Sequence, residues 1–240
     1  MSRVLLFSGG LDSLALWFLT DRPDPVYVQL GHRYEHAEME TLRVLSTHVP
    51  GFRPRYLRGP QIGGLEETDG HIPHRNAALL VTAAAYTGAD EVMLGALLGE
   101  ASPDKSRRFL RYASLCLTAS THRPVRCWAP AARWTKTGLL ARFLRAYPAH
   151  THLLRYTRSC YAVSGECGAC PACFRRHVAL WHCGLREERP QLPATASAGA
   201  AWAAARRAGV ARWPGLAVNN TLAGLALAGV RTARPPRRLP

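Results

Sequence analysis

The hexapeptide Ser8-Gly9-Gly10-Leu11-Asp12-Ser13 directly follows the apolar run Val4-Leu5-Leu6-Phe7, and no other stretch constrains the fold as strongly. A buried strand from Arg3 to Phe7 that turns on two glycines and restarts as a helix, Asp12 to Thr20, is the first half of a β-α-β unit. The alternation then continues. Strands are expected at Val26 to Leu30, Arg53 to Leu57, Glu91 to Gly95 and Val125 to Trp128. Helices are expected at Glu35 to Thr47, Asn76 to Tyr86, Arg107 to Thr118 and Lys136 to Tyr147, with a shorter one at Phe174 to His182. The class is α/β, a Rossmann-like, doubly wound parallel sheet. In such sheets ligands bind beyond the carboxyl ends of the strands. The loops at 8–13, 31–34, 95–105 and 130–136 should therefore gather on one rim.

The hexapeptide also carries chemistry. Gly9 and Gly10 let the backbone approach a phosphate closely, and their N–H groups join those opening the next helix in an anion site. Ser8 and Ser13 add hydroxyls. Asp12 alone would repel phosphate, so a bridging Mg²⁺ is the natural expectation. The Gly-Lys-Ser/Thr ending of a Walker loop is absent. A plain strand–turn–helix capped by serine is the bland alternative.

A second cluster lies about 150 residues later. Cys160, Cys167, Cys170 and Cys173 have the spacing C-x6-C-x2-C-x2-C. Four thiolates suit a tetrahedral zinc ion, and with every ligand from protein no open position remains for catalysis. An iron–sulfur cluster uses the same donors. Such a tight cluster in an enzyme-sized chain argues for reduced thiolates bound to metal rather than disulfides. Cys116, Cys127 and Cys183 are expected to be small apolar fillers. His71, His74 and His177 form no convincing ligand set.

The formal charge is +15, and nine Arg against Glu187 and Glu188 give residues 184–240 a net +7 of it. Such charge fits either a polyanion surface or a compositional bias towards arginine. No apolar stretch approaches the roughly 18 residues that span a bilayer. Asp12 interrupts the N-terminal apolar run, so no cleaved leader and a cytoplasmic location are expected. The boundaries expected are 1–150 for an ATP-binding α/β domain, 151–185 for a zinc-binding segment packed on it, and 186–240 for a basic Ala/Arg/Pro-rich tail. Within that tail Ala198 to Arg207 and Leu222 to Val230 have helical patterns.

Taken together these stretches resemble the QueC, or 7-cyano-7-deazaguanine synthase, family of PP-loop ATP pyrophosphatases. The resemblance is carried by Phe7-Ser8-Gly9-Gly10-Leu11-Asp12-Ser13, Gly31-His32-Arg33, Ile72-Pro73-His74-Arg75-Asn76 and Pro103-Asp104. Further on it rests on Pro130, Lys136, Cys160-Tyr161 and Cys167-Gly168-Ala169-Cys170-Pro171-Ala172-Cys173. It implies a ligase that adenylates the carboxylate of 7-carboxy-7-deazaguanine with ATP and Mg²⁺. Attack by ammonia follows, and a second ATP drives dehydration to the nitrile. It implies Asp12, Lys136 and Asp104 as catalytic groups. Ser8, Gly9, Gly10, Leu11, Asp12, Ser13, Arg75 and Asn76 would be the nucleotide-binding set, and a homodimer is common in the family. Lys136 is one of only two lysines beside 29 arginines, which singles it out as a compact phosphate-binding charge.

Two departures fall near the expected substrate rim. The family's acidic Ser-x-Tyr-Pro-Asp loop is shortened to Gly99-Glu100-Ala101-Ser102-Pro103-Asp104, and its Gly-Gln-Arg-His reads Gly31-His32-Arg33-Tyr34. They leave open another amine, on a protein or nucleic-acid acceptor, in place of ammonia. A tRNA-thiolating PP-loop enzyme and a nucleotide-binding relative without turnover stand as alternatives.

Overall fold

A computed structural model describes residues 1–67, 71–98, 100, 102–168 and 170–185. The basic tail, with its two expected helices, lies outside the described residues, as do Gly99, Ala101 and Ala169. Five strands form one parallel sheet: β1 (Arg3–Leu6), β2 (Asp24–Gln29), β3 (Arg55–Arg58), β4 (Glu91–Met93) and β5 (Arg126–Trp128). Their order is β3-β2-β1-β4-β5, with all four pairings parallel. The order reverses between β1 and β4, so the crevice of the doubly wound fold opens where β1 hands over to the glycine loop.

The helices are α1 (Leu11–Leu19), α2 (Glu35–His48), α3 (Arg75–Thr87), α4 (Arg107–Thr121), α5 (Lys136–Ala146) and α6 (Pro171–His182). Alternating side chains of the strands divide the core between the two faces of the sheet. Leu5, Phe7, Tyr27 and Met93 pack with α1, α2, α5 and α6. Val4, Leu6, Val26, Val28, Val92 and Leu94 pack with α3 and α4. Helix α1 lies inside the first layer. Seven of its nine residues are buried, Asp12 being half-exposed, and its long axis rests against α5. Its apolar run is thus a core helix rather than an amphipathic one.

Residues 148–156 form a 3₁₀ stretch that contributes Leu153 and Leu154 to the same core as Ala179 and Leu180 of α6. Helix α6 starts three residues before the expected Phe174. Proline is tolerated at the first helical position because its missing N–H has no partner there. Cys170 therefore sits just ahead of the helix and Cys173 in its first turn. Strand β3 starts two residues later than expected, beyond Pro54, which cannot donate to the ladder. Of the three cysteines expected as fillers, Cys127 is buried and Cys183 half-buried, but Cys116 is exposed on α4. Burial pushes the Cys127 and Cys183 thiols up to about 11. No helix among the described residues is long and apolar enough to cross a membrane.

Candidate active site

The glycine loop forms one wall of a cleft at the carboxyl ends of β1, β2 and β4. Gly10 caps α1 in an extended conformation with no side-chain acceptor, so the first-turn N–H groups are left to a ligand. Gly9 has φ +76°, and a Cβ there would lie 2.9 Å from Thr41 Cγ2. Both conformation and space exclude a side chain, which keeps the loop backbone bare. Ser13 Oγ accepts from Ser8 N at 3.3 Å and lies 3.2 Å from Ser8 Oγ, closing the loop on itself.

Lys136 opens α5, and its Nζ donates to Asp12 Oδ2 at 2.5 Å across the cleft. Thr135 caps that helix by accepting from Gly138 N at 3.1 Å, which fixes where the lysine stem starts. Burial lowers the Lys136 pKa, and Arg175 adds to the effect while Asp12 opposes it. Asp12 Oδ1 is buried and has no hydrogen-bond partner among the described residues. An orphaned carboxylate oxygen beside a bare helix N-terminus suits a divalent cation that bridges to phosphate.

The far wall is aromatic. His32 lies 4.1 Å from Tyr34 between ring centroids, and Tyr34 lies 5.4 Å from Tyr161. Tyr27 Oη donates to Glu38 Oε2 at 2.9 Å, and His32 Nε2 lies 3.5 Å from the same oxygen. Burial raises the Tyr34 hydroxyl to about 12 and raises that of Tyr27 still further. Arg75 Nη1 donates to Tyr34 Oη at 3.3 Å. Glu35 pins the turn before this wall by accepting from Leu30 N and Gly31 N at 2.7 and 2.8 Å. Gly63 packs so tightly on Gly31 that an added Cβ would meet the Gly31 carbonyl oxygen at 2.1 Å.

The cleft thus unites Ser8, Gly10, Asp12, Ser13, Arg75, Asn76 and Lys136, all expected from the sequence. Leu11 is fully buried in the core instead, where its role is packing. Asp104 is not among the lining residues. Its carboxylate accepts from Asn76 N at 3.4 Å and from the Ser102 hydroxyl, so it serves the N-terminus of α3. Its pKa is lowered: burial opposes ionisation, but the Ser102 and Asn76 hydrogen bonds override it. The sequence reading missed Glu38, Glu100, Lys105, Arg158, Tyr161 and Arg175, which also line the cleft. No local spacing announces them, because they come from four separate segments. Neither Cys116 nor Cys127 lines it.

The four cysteines converge with all Sγ atoms within 4.8 Å of one another. A tetrahedral zinc site with bonds of about 2.3 Å needs sulfurs about 3.8 Å apart, so the cluster is compatible with structural zinc. Cys160 Sγ accepts from Ala162 N and Cys167 N at 3.3 and 3.2 Å, and Cys170 Sγ from Cys173 N at 3.5 Å. Such N–H···S bonds stabilise thiolates. The hydrogen bond with Cys173 does most to lower the Cys170 thiol.

Helix α6, which carries Cys173, is tied to the glycine loop. Arg176, fully buried, donates to Thr157 Oγ1 at 2.6 Å and to the Leu154 carbonyl at 2.8 Å. The next residue, Arg158, donates its N–H to the Gly9 carbonyl at 3.1 Å.

Comparison with known proteins points to one family. The family model described as "Queuosine biosynthesis protein QueC" matches residues 63–184. The chain is 35% identical to a 7-cyano-7-deazaguanine synthase of Anaeromyxobacter sp., over 76% of this chain and 92% of that one. It is 32% identical to the Methanosarcina mazei protein of the same name, over 78% of this chain and 96% of that one. A Chlorobium phaeobacteroides synthase is 26% identical over 79% and 99%.

Proposed function

The chain belongs to the QueC family, and from that premise we propose that it is a ligase converting 7-carboxy-7-deazaguanine with ATP and an amine. With ammonia the product is 7-cyano-7-deazaguanine. The observation that carries the reading is the Asp12–Lys136 pair set at the bare N-terminus of α1. A carboxylate is a poor electrophile, and AMP is a good leaving group. The substrate carboxylate attacks the α-phosphorus, and pyrophosphate departs towards the glycine loop. The first-turn N–H groups of α1, Ser8, Ser13 and Lys136 face the negative charge that grows on it. Asp12, through its unpartnered Oδ1, would hold Mg²⁺, which would supply charge neutralisation to the phosphates. Ammonia then attacks the acyl-adenylate, forming the C–N bond as AMP leaves. A second ATP adenylates the amide oxygen with loss of pyrophosphate; AMP then leaves with that oxygen and the nitrogen gives up its protons, which yields the nitrile. The aromatic wall of His32, Tyr34 and Tyr161 suits a planar bicyclic base.

In this reading residues 1–150 bind ATP and residues 151–185 carry structural zinc through Cys160, Cys167, Cys170 and Cys173. The test is incubation with ATP, Mg²⁺ and 7-carboxy-7-deazaguanine, with and without ammonium, followed by mass analysis. AMP, pyrophosphate and a nitrile or amide of the base are expected. Release of ADP and phosphate would overturn adenylation.

A further inference from the structure

Adjacent residues of α6 point to opposite destinations. Arg176 is fully buried under Thr157 and Leu154, whereas Arg175 lines the cleft with its side chain 31% exposed. Successive helical positions are about 100° apart, so anchoring one arginine inward turns the other towards the site. The neighbours of Arg175 are functional groups. Its Nη1 lies 3.9 Å from Glu100 Oε1, Tyr161 is a hydrogen-bond partner, and Asp12 and Lys136 lie within electrostatic range.

Glu100 does not depend on this contact. Its Oε1 is 3.0 Å from Lys105 Nζ, and its Oε2 accepts from Leu97 N at 3.0 Å. Arg175 is therefore the looser partner, and an incoming anion can draw it from Glu100 without stranding the carboxylate. The cleft holds five cationic side chains, Arg75, Lys105, Lys136, Arg158 and Arg175, against three acidic ones, Asp12, Glu38 and Glu100. Lys136 pairs with Asp12 on the side of the glycine loop, towards which pyrophosphate departs. Adenylation requires two anions, a carboxylate and the α-phosphate, to meet. A planar guanidinium presents five donors in a fixed fork and can hold both in one plane, an orientation that a lysine's compact ammonium does not fix.

We propose that Arg175, delivered by α6, is a catalytic residue that binds the α-phosphate of ATP and the carboxylate attacking it. The proposal rests on the adenylation reading above. It also makes the four-thiolate cluster a positioning device, since α6 begins between its last two ligands.

The test compares wild type with Arg175→Gln and Arg175→Lys, each first shown to be folded and to carry its full metal content. Calorimetric titration with ATP·Mg²⁺ and with pyrophosphate·Mg²⁺ separates the phosphates. Arg175→Gln should weaken ATP by roughly tenfold, the scale of a charge-assisted hydrogen bond, and leave pyrophosphate within about twofold. Carboxylate-dependent pyrophosphate release at saturating ATP should fall by about 10² or more in Gln, with only partial rescue by Lys. If ATP affinity and turnover are both unchanged in folded, metal-loaded Arg175→Gln, the proposal is wrong. Equal weakening of ATP and pyrophosphate would also overturn it, by placing Arg175 at the β,γ end. If wild type binds ATP but releases no pyrophosphate with the carboxylate, the proposed function fails, while the ATP-versus-pyrophosphate difference still decides the role of Arg175.

Discussion

Asp12 shows how one side chain divides its work, with Oδ2 paired to Lys136 and Oδ1 buried without a partner. Asp12→Asn keeps an oxygen for the Lys136 ammonium, so the fold should survive, but it removes the charge a cation needs. Pyrophosphate release should drop by roughly 10²-fold or more, and a wild-type rate from the folded variant would refute the role of Asp12. Glu100 gives a pH prediction. Burial alone would raise its pKa, but Lys105, Arg175 and the Leu97 N–H hold it below its ordinary 4.5. A depressed folded value means that the unfolded chain binds the extra proton first as pH falls. The stabilisation from Glu100 is therefore complete above about pH 4.5 and lost as pH drops through the lower folded value. Thermal melts from pH 6 down to 3 should show this acid limb, and Glu100→Gln should flatten it. An unaltered limb in the variant would assign acid sensitivity elsewhere. Residues such as Asp12 and Lys136 were legible because motif and rarity mark them. Arg175 and Arg176 look alike in sequence, and only the helix phase separates them.

At the scale of elements, the strands and helices were readable because short apolar runs alternate with longer stretches of helical pattern. Their ends were not, where proline decided them. Pro54 delays β3 and Pro171 starts α6 early. Asp104 stood in a stretch shared with the family, but its carboxylate goes to the N-terminus of α3 rather than to the cleft lining, a long-range bond that no spacing reveals. The chain of contacts from α6 through Arg176, Thr157 and Arg158 to Gly9 was equally silent in the sequence. It predicts that metal binding at the four cysteines stiffens the glycine loop. Cys170→Ser, or removal of metal by a chelator, should loosen α6 and residues 154–160 together. Hydrogen exchange should then rise at Arg158 N, whose acceptor is the Gly9 carbonyl, and ATP affinity should fall with it. Rapid exchange in α6 with an unchanged Arg158 amide would show that cluster and loop are independent.

For the molecule as a whole, about half of the net charge lies beyond the stretch of sequence that carries the chemistry. Every residue assigned here to the cleft or the thiolate cluster lies at or before Arg175, while residues 184–240 hold +7 of the formal +15. Among the described residues, Leu153, Leu154, Ala179 and Leu180 belong to the core layer that carries α1 and α5. A chain ending after residue 189 keeps all of these groups. It should therefore fold, retain its metal and release pyrophosphate within a few-fold of the full chain's rate. If the arginines of the tail bind a nucleic acid, the full chain should bind a labelled tRNA with an affinity that falls steeply as salt rises, because counterions are released from each neutralised phosphate. The shortened chain should lose most of that slope while keeping its turnover on the free base. A folded truncation that binds ATP but no longer turns over would mean that residues beyond 189 complete the site. The separation of catalysis from charge would then be wrong.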